Sequence, residues 1–290
     1  MRDDYDPRTT AVRPDLAAKY LEGKVKAARF VEGAAREVRD AQTPVRGQPS
    51  ADAALTTEAL RGDQVTVYEE TDEGWCWGQL LSDGYVGWLS ANALDTPRAA
   101  PTHKVAALRT LVFPAPSIKH PPLEGLPLGS RVAVLGTEKE FAVLANGYLP
   151  ARHLAALDEA EPDFVAIAER FVGVPYLWGG KTSLGIDCSG LVQVALTAAG
   201  IGCPRDSDMQ EAALGTSVTP APQFTNQQRG DLMFWKGHVA VVVNAHRIVH
   251  ANAFHMAVVI EPLAEAVARI RASGTEVRSV KRIAATPHVG

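Results

Sequence analysis

Asp187-Cys188-Ser189-Gly190-Leu191-Val192-Gln193-Val194-Ala195-Leu196-Thr197-Ala198-Ala199-Gly200 is the stretch from which the rest of the chain can be read. Leu191, Val192, Ala195 and Ala198 recur at helical spacing, which predicts a helix over 189–199 with one face on a core and Gly200 as its stop. Cys188 then stands at the start of that helix. Free backbone N–H groups and the helix dipole favour an anion there, and the thiolate is the form of cysteine that attacks a carbonyl. A second helix is expected over 164–171, ahead of a loop rich in Gly, Pro and aromatics. Strands are expected at 231–235, 238–243, 247–251 and 257–260. Helices followed by an antiparallel meander make this part of the chain α+β.

The strands carry two histidines. With a hairpin turn near Asn244, His238 and His250 lie six residues to either side of it on neighbouring strands, within about 5 Å of each other. His238 is assigned as general base and later general acid, His250 as the group that fixes its tautomer, and the Cys188 backbone N–H as an oxyanion donor. Each residue alone has a plainer reading: a helix-start cysteine is commonly a small buried hydrophobe, and a histidine in a valine-rich strand a core residue. The three together, in this order, favour a cysteine hydrolase. A Cys-His-His zinc site fits no short metal-ligand spacing, so no metal and no other cofactor is expected. His255 is a fallback third member. Cys76 and Cys203 read as structural, and His103, His120, His153, His246 and His288 have no motif context.

Working outward, residues 14–40 show Leu16, Tyr20, Val25, Ala28, Val31 and Ala35 among charged residues, which predicts one or two short helices. Ala41–Ser50 reads as a linker. Short strands with turns at Asp72-Glu73-Gly74 and Ser82-Asp83-Gly84 then predict a small barrel over 51–98. The pattern recurs: Gly129–Val134 echoes Gly62–Val67, Phe141 stands where Trp75 stood, and Gly147-Tyr148-Leu149 echoes Gly84-Tyr85-Val86. A second, degenerate barrel is expected over 99–158. The division is thus 1–50, 51–98, 99–158 and 159–290, the last being the catalytic domain.

A chain of 290 residues with net charge −4 and no basic block gives no reason to expect nucleic acid or an anionic membrane as partner. Three cysteines do not make a disulfide framework and fit a reducing compartment. The start is acidic and polar with no apolar stretch after it, so a cytoplasmic location is expected. Oligomeric state is left open.

Pro175-Tyr176-Leu177-Trp178-Gly179-Gly180, Asp187-Cys188-Ser189-Gly190-Leu191-Val192, Pro204-Arg205-Asp206-Ser207, Gly230-Asp231-Leu232-Met233-Phe234, Gly237-His238-Val239-Ala240 and His250-Ala251 resemble, in order, the NlpC/P60 cysteine peptidases. The preceding barrels resemble bacterial SH3 domains. The resemblance implies a papain-like catalytic fold, a Cys188–His238–His250 triad, an approach of Tyr176 to the site, and substrate contacts from Asp187 and Ser189. The subgroup with this architecture implies γ-D-glutamyl-L-diamino acid endopeptidase activity, cutting between γ-linked D-Glu and meso-diaminopimelate in murein peptides with a free N-terminal L-Ala. A closed, acid-lined pocket would hold that ammonium. Glu58 and Tyr85 are the candidates for its wall, with Glu69 and Glu70 behind them. Trp88 reads as barrel core. Arg205, Asp206 and Ser207 are expected at the groove rim. Peptide recycling is the leading expectation. An exported hydrolase anchored to intact wall by its barrels, and a non-catalytic cell-wall-peptide binding module, are the alternatives.

Overall fold

The computed structural model describes residues 5–284. The acidic start Met1–Asp4 and His288 lie outside the described residues. The chain divides into two compact units, residues 1–157 and 158–290. No helix among the described residues is long and apolar enough to cross a membrane.

The first unit is almost entirely β. It begins with β1 (Leu16–Ala18) and β2 (Arg29–Val31), paired in parallel. A seven-stranded sheet follows, formed by β3 (Ala34–Val38), β4 (Gln42–Arg46), β5 (Leu55–Leu60), β6 (Gln64–Glu70), β7 (Trp75–Leu80), β8 (Val86–Ser90) and β9 (Leu94–Asp95), in the order β5-β4-β8-β7-β6-β3-β9. Val38, Val45, Val65, Cys76, Leu80 and Leu89 fill its core.

Two expectations fail here. No α-helix forms over 14–40, where only a single 3-10 turn (Lys19–Leu21) appears among strands, and 41–50 is no free linker, since it contains β4. Leu16, Ala17 and Ala18 are buried consecutively, against the rings of Trp77 and Trp88. An amphipathic helix buries one stripe, not three residues in a row, so tertiary packing overrides the local spacing. Trp88 therefore packs under the N-terminal segment. Arg13 lies over both indoles, 4.5 Å from the Trp77 ring and 4.9 Å from that of Trp88, and its guanidinium pairs with Glu69 at 2.5 Å.

The rest of the first unit echoes part of this plan in three smaller sheets. It contains β10 (His103–Val105), β11 (Arg109–Val112), β12 (Glu124–Pro127), β13 (Arg131–Val132), β14 (Gly136–Glu138), β15 (Phe141–Leu144), β16 (Gly147–Pro150) and β17 (Leu154–Ala156), in the orders β13-β10-β17, β11-β12 and β14-β15-β16. β10 pairs with β13 and β17 as β3 pairs with β6 and β9. A 3-10 turn precedes the last strand in both halves. Val105, Val112, Leu126, Val132 and Leu149 make a separate core. An Arg61–Glu124 ion pair of 2.6 Å joins the two halves.

The second unit opens with α1 (Phe164–Arg170), capped by Asp163, whose carboxylate accepts from the N–H groups of Val165 and Ala166. A short hairpin, β18 (Lys181–Thr182) and β19 (Gly185–Ile186), leads into α2 (Cys188–Ala198), which is followed by Gly200 at φ 76°. After α3 (Ser207–Ala213) come β20 (Thr216–Val218), β21 (Asp231–Trp235), β22 (His238–Asn244), β23 (Arg247–Asn252), β24 (Ala257–Pro262), α4 (Leu263–Ala272) and β25 (Ser279–Arg282). These strands form an antiparallel sheet in the order β20-β25-β21-β22-β23-β24. α1 and α2 pack on β22 and β23. The face bearing Met233, Trp235, Ala240, Val242 and Ile248 packs with Leu263, Ala266 and Val267 of α4.

Candidate active site

Cys188 is the first residue of α2 and is buried. The turn that presents it is held by Asp187. One Asp187 oxygen accepts from the Gly190 N–H at 2.7 Å and the other from the Gly179 N–H at 2.7 Å. Arg205, only 1% exposed, clasps both oxygens, at 3.0 and 2.8 Å, and donates to the Ser189 hydroxyl at 2.9 Å. The position of Gly190 is forced, because a Cβ there would stand 2.3 Å from the Gly180 carbonyl oxygen and 2.9 Å from an Asp187 oxygen.

This network corrects one expectation and sharpens two. Arg205 is not at a groove rim but beneath the nucleophile. Asp187 and Ser189, expected as substrate contacts, are both buried and engaged in holding the Cys188 turn. Asp206 stands at the N-terminal boundary of α3 and Ser207 begins it, both half-buried one turn from Gln210, whose amide donates to the Ser189 carbonyl at 2.9 Å. Tyr176 is brought to the site: burial and the proximity of Cys188 and Asp187 push its phenol pKa up.

Lys236-Gly237 form a two-residue turn, with Gly237 at φ 73°, which returns the chain into β22 at His238. His238 and His250 meet with a 2.8 Å Nε2···Nδ1 contact. They meet diagonally, however. The β22–β23 register pairs Val241 with Val249, and a bulge lies between Val242 and Asn244. Continued toward the strand ends, that register sets Ala240 opposite His250. The bulge shifts the hairpin by one step, and the longer reach of two imidazoles closes the diagonal.

Behind His250 lies what the sequence reading missed. His250 Nε2 is 2.6 Å from a Glu261 oxygen, and Arg269 donates to both Glu261 oxygens at 2.5 and 2.6 Å. Glu261 comes from β24, directly opposite Ile248, and so shares the His250 face of β23. Arg269 descends from α4. The only signal was an acid inside an otherwise apolar Ala-Val-Val-Ile strand, followed by Arg two helical turns into the next element.

This chain fixes the direction of every proton. Burial raises the Glu261 carboxyl, but hydrogen bonds from His250 and Arg269 outweigh it and hold the pKa down to about 2. Glu261 is therefore a pure acceptor, and His250 Nε2 must carry the hydrogen. Burial keeps His250 neutral, so its Nδ1 accepts, and His238 Nε2 must donate to it. Burial, and then His250, lower His238 to about 3, so its remaining nitrogen, Nδ1, is a free base. The Cys188 thiol is neutral too: burial, and then the Asp187 charge, push the thiol up to about 12, against hydrogen bonding from the Val239 and Ser189 N–H groups. The Val239 contact places the sulfur at the head of β22, beside the residue that follows His238. The arrangement is that of a thiol nucleophile, an imidazole base in a set tautomer, and an ion pair that supports the imidazolium formed when the thiol proton moves.

The other expected residues lie elsewhere. His255 donates from its backbone N–H to Asn252 Oδ1 at 2.9 Å and stands outside the relay. Glu58 is on β5 of the first barrel, 5% exposed, and accepts from the Gln42 amide at 3.0 Å, so it is a buried carboxylate and not a solvated one. Tyr85 is buried in that barrel's apolar core. Glu69 is taken by Arg13 and Arg29, and Glu70 is exposed.

The model of the NlpC/P60 family matches residues 173–275, and that of the bacterial dipeptidyl-peptidase SH3 domain matches residues 45–94. A Bacillus cereus protein named gamma-D-glutamyl-L-lysine dipeptidyl-peptidase is 29% identical over 243 residues, covering 72% of this chain and 71% of its own length. Dipeptidyl-peptidase 6 of Lysinibacillus sphaericus is 27% identical, covering 71% of this chain and 83% of its own. The crystal structure of an NlpC/P60 family protein from Bacillus cereus superposes with a TM-score of 0.69 at 21% identity, covering 86% of this chain and 99% of that one, and shares the fold. The match of 173–275 encloses Cys188, His238, His250 and the Glu261–Arg269 pair, so the chain carries an NlpC/P60 domain with a bacterial SH3 domain ahead of it.

Proposed function

We propose that this protein is a cysteine peptidase that hydrolyses the γ-D-Glu–meso-diaminopimelate bond of murein peptides with a free N-terminal L-Ala, in the cytoplasm, as a step of cell-wall peptide recycling. The observation that carries the chemistry is the oriented relay from His238 through His250 to Glu261 and Arg269 beside a helix-start thiol. In this reaction the Cys188 sulfur attacks the γ-glutamyl carbonyl as its proton passes to His238 Nδ1. The developing oxyanion takes hydrogen bonds at the α2 N-terminus. His238 returns the proton to the departing amine, and water then releases the acyl group by the same base.

Two relatives named as dipeptidyl-peptidases, one for a γ-D-glutamyl bond, support the substrate class. A low cysteine count, three in 290 residues, suits a reducing compartment. Glu58 of the first barrel, a buried carboxylate, is the acidic group proposed to recognise the free ammonium. The test is a comparison of L-Ala-γ-D-Glu-meso-diaminopimelate with its N-acetylated form. Free peptide is expected to be cleaved at least tenfold faster, and equal rates would refute the requirement for a free amine.

A further inference from the structure

A cleft of about 300 Å³ opens beside His238 and His250, with Trp235, Lys236, Asn252 and Arg269 in its wall. Two donors in that wall have no partner. Asn252 is 7% exposed. Its Oδ1 accepts from the His255 N–H, which settles the orientation of the amide and leaves Nδ2 unpaired among the described residues. Trp235 is 2% exposed and its Nε1–H is likewise unpaired. Buried donors without partners are rare and mark where an acceptor belongs. Among the described residues that line the cleft none is acidic, while Lys236 stands at the hairpin tip next to His238. Glu261, just behind, has its oxygens taken by His250 and Arg269.

The occupant follows from the reaction proposed above, on which this inference rests. The departing amine takes its proton from His238, so the leaving residue passes beside that ring, which borders the cleft. We propose that the cleft binds the leaving diamino acid through a carboxylate, with Asn252 Nδ2 and Trp235 Nε1 as donors and Lys236 as countercharge. A diamino acid has two sources of that group. One is the main-chain α-carboxylate, and the other is the side-chain carboxylate that diaminopimelate has and lysine lacks. If the second is bound, the cleft is what separates the two substrates, since a lysine ammonium would meet Lys236 and two N–H groups.

The test uses the full chain, wild type and Asn252→Asp, which keeps the acceptor for His255 and sets a negative charge where the carboxylate would lie. Its substrates are L-Ala-γ-D-Glu followed by meso-diaminopimelate, by L-lysine, or by L-lysine amide. Recognition of the side chain predicts a kcat/KM for diaminopimelate at least tenfold above that for lysine, with the ratio falling toward one in Asn252→Asp, chiefly through KM. Recognition of the α-carboxylate predicts instead a tenfold preference of lysine over its amide that collapses in the variant. A variant that slows all three peptides alike, or none, overturns the proposal. A second readout is independent of turnover. In Cys188→Ala, the indole N–H resonance of Trp235, assigned by its loss in Trp235→Phe, is expected to shift on addition of free meso-diaminopimelate. If wild type cleaves no peptide but the resonance shifts, the reaction assigned above fails and the cleft stands; an unmoved resonance overturns the cleft.

Discussion

Exchanging Glu261 for Gln keeps the size of the side chain and still offers an oxygen to His250, but it removes the charge that compels His250 Nε2 to hold the hydrogen. The imidazole pair loses its fixed tautomers, and the imidazolium formed at His238 loses its support. Glu261→Gln is expected to lower kcat on the order of 10²-fold with little change in KM, and Arg269→Gln is expected to do so more weakly. An unchanged kcat in Glu261→Gln would show that the relay stops at His250. The neutral resting pair is testable by alkylation. With the thiol pushed up by burial and His238 held neutral, inactivation by iodoacetamide should keep rising above pH 8. A rate already level at pH 6 would reveal a preformed thiolate–imidazolium pair. At this scale Cys188, His238 and His250 were legible because reactive residue types stand out against an apolar helix and apolar strands. Glu261 was not, because its role depends on strand register and on a helix that follows. Arg205 was seen but misplaced, since sequence does not say that its charge is buried against Asp187.

Among the elements, the turn into α2 is the most exposed to damage. Arg205 satisfies a buried carboxylate, a buried hydroxyl and a backbone carbonyl at once. Arg205→Met would leave the buried Asp187 charge without its countercharge, a loss of about 3–5 kcal/mol. Thermal unfolding of the catalytic unit should fall by roughly 10 °C or more, and a shift of a degree or two would mean that Asp187 finds another partner. The sheet face that carries the relay also makes stability depend on pH. His238 is held near 3 against an ordinary 6.5, and Glu261 near 2 against an ordinary 4.5. Below pH 6.5 the unfolded chain binds more protons than the folded one, so stability is complete above that value and is lost as pH falls toward 3, with Glu261 adding its share below 4.5. Urea midpoints between pH 7 and 4 should fall steadily, and a flat profile would contradict the buried neutral imidazole. α1, α2 and the strands β21 to β24 were readable from period and caps. Residues 14–40 were not, because their spacing suits a helix in isolation while Trp77 and Trp88 require a cover that buries consecutive residues.

Over the whole molecule, the two halves of the first unit have separate cores and share the pairing of one strand with two others. The single sheet of the first half is three smaller sheets in the second, in keeping with the looseness of the echo of Gly62–Val67 in Gly129–Val134. The echo did not reveal that the first barrel begins at Ala34, because β3 and β4 carry few of its glycine and aromatic marks. The function proposed for the molecule includes selection of a free amine, for which Glu58 is the proposed acidic group. Glu58→Gln should raise KM for the free tripeptide about tenfold while leaving kcat near wild type, a split that steady-state kinetics would show directly. The most direct test of the whole account is mass-spectrometric identification of the products from L-Ala-γ-D-Glu-meso-diaminopimelate and, beside it, from intact peptidoglycan, with wild type and Cys188→Ala. L-Ala-D-Glu and diaminopimelate are expected from the free tripeptide alone, and nothing from the variant. Peptides released from intact wall, or turnover that survives Cys188→Ala, would contradict it.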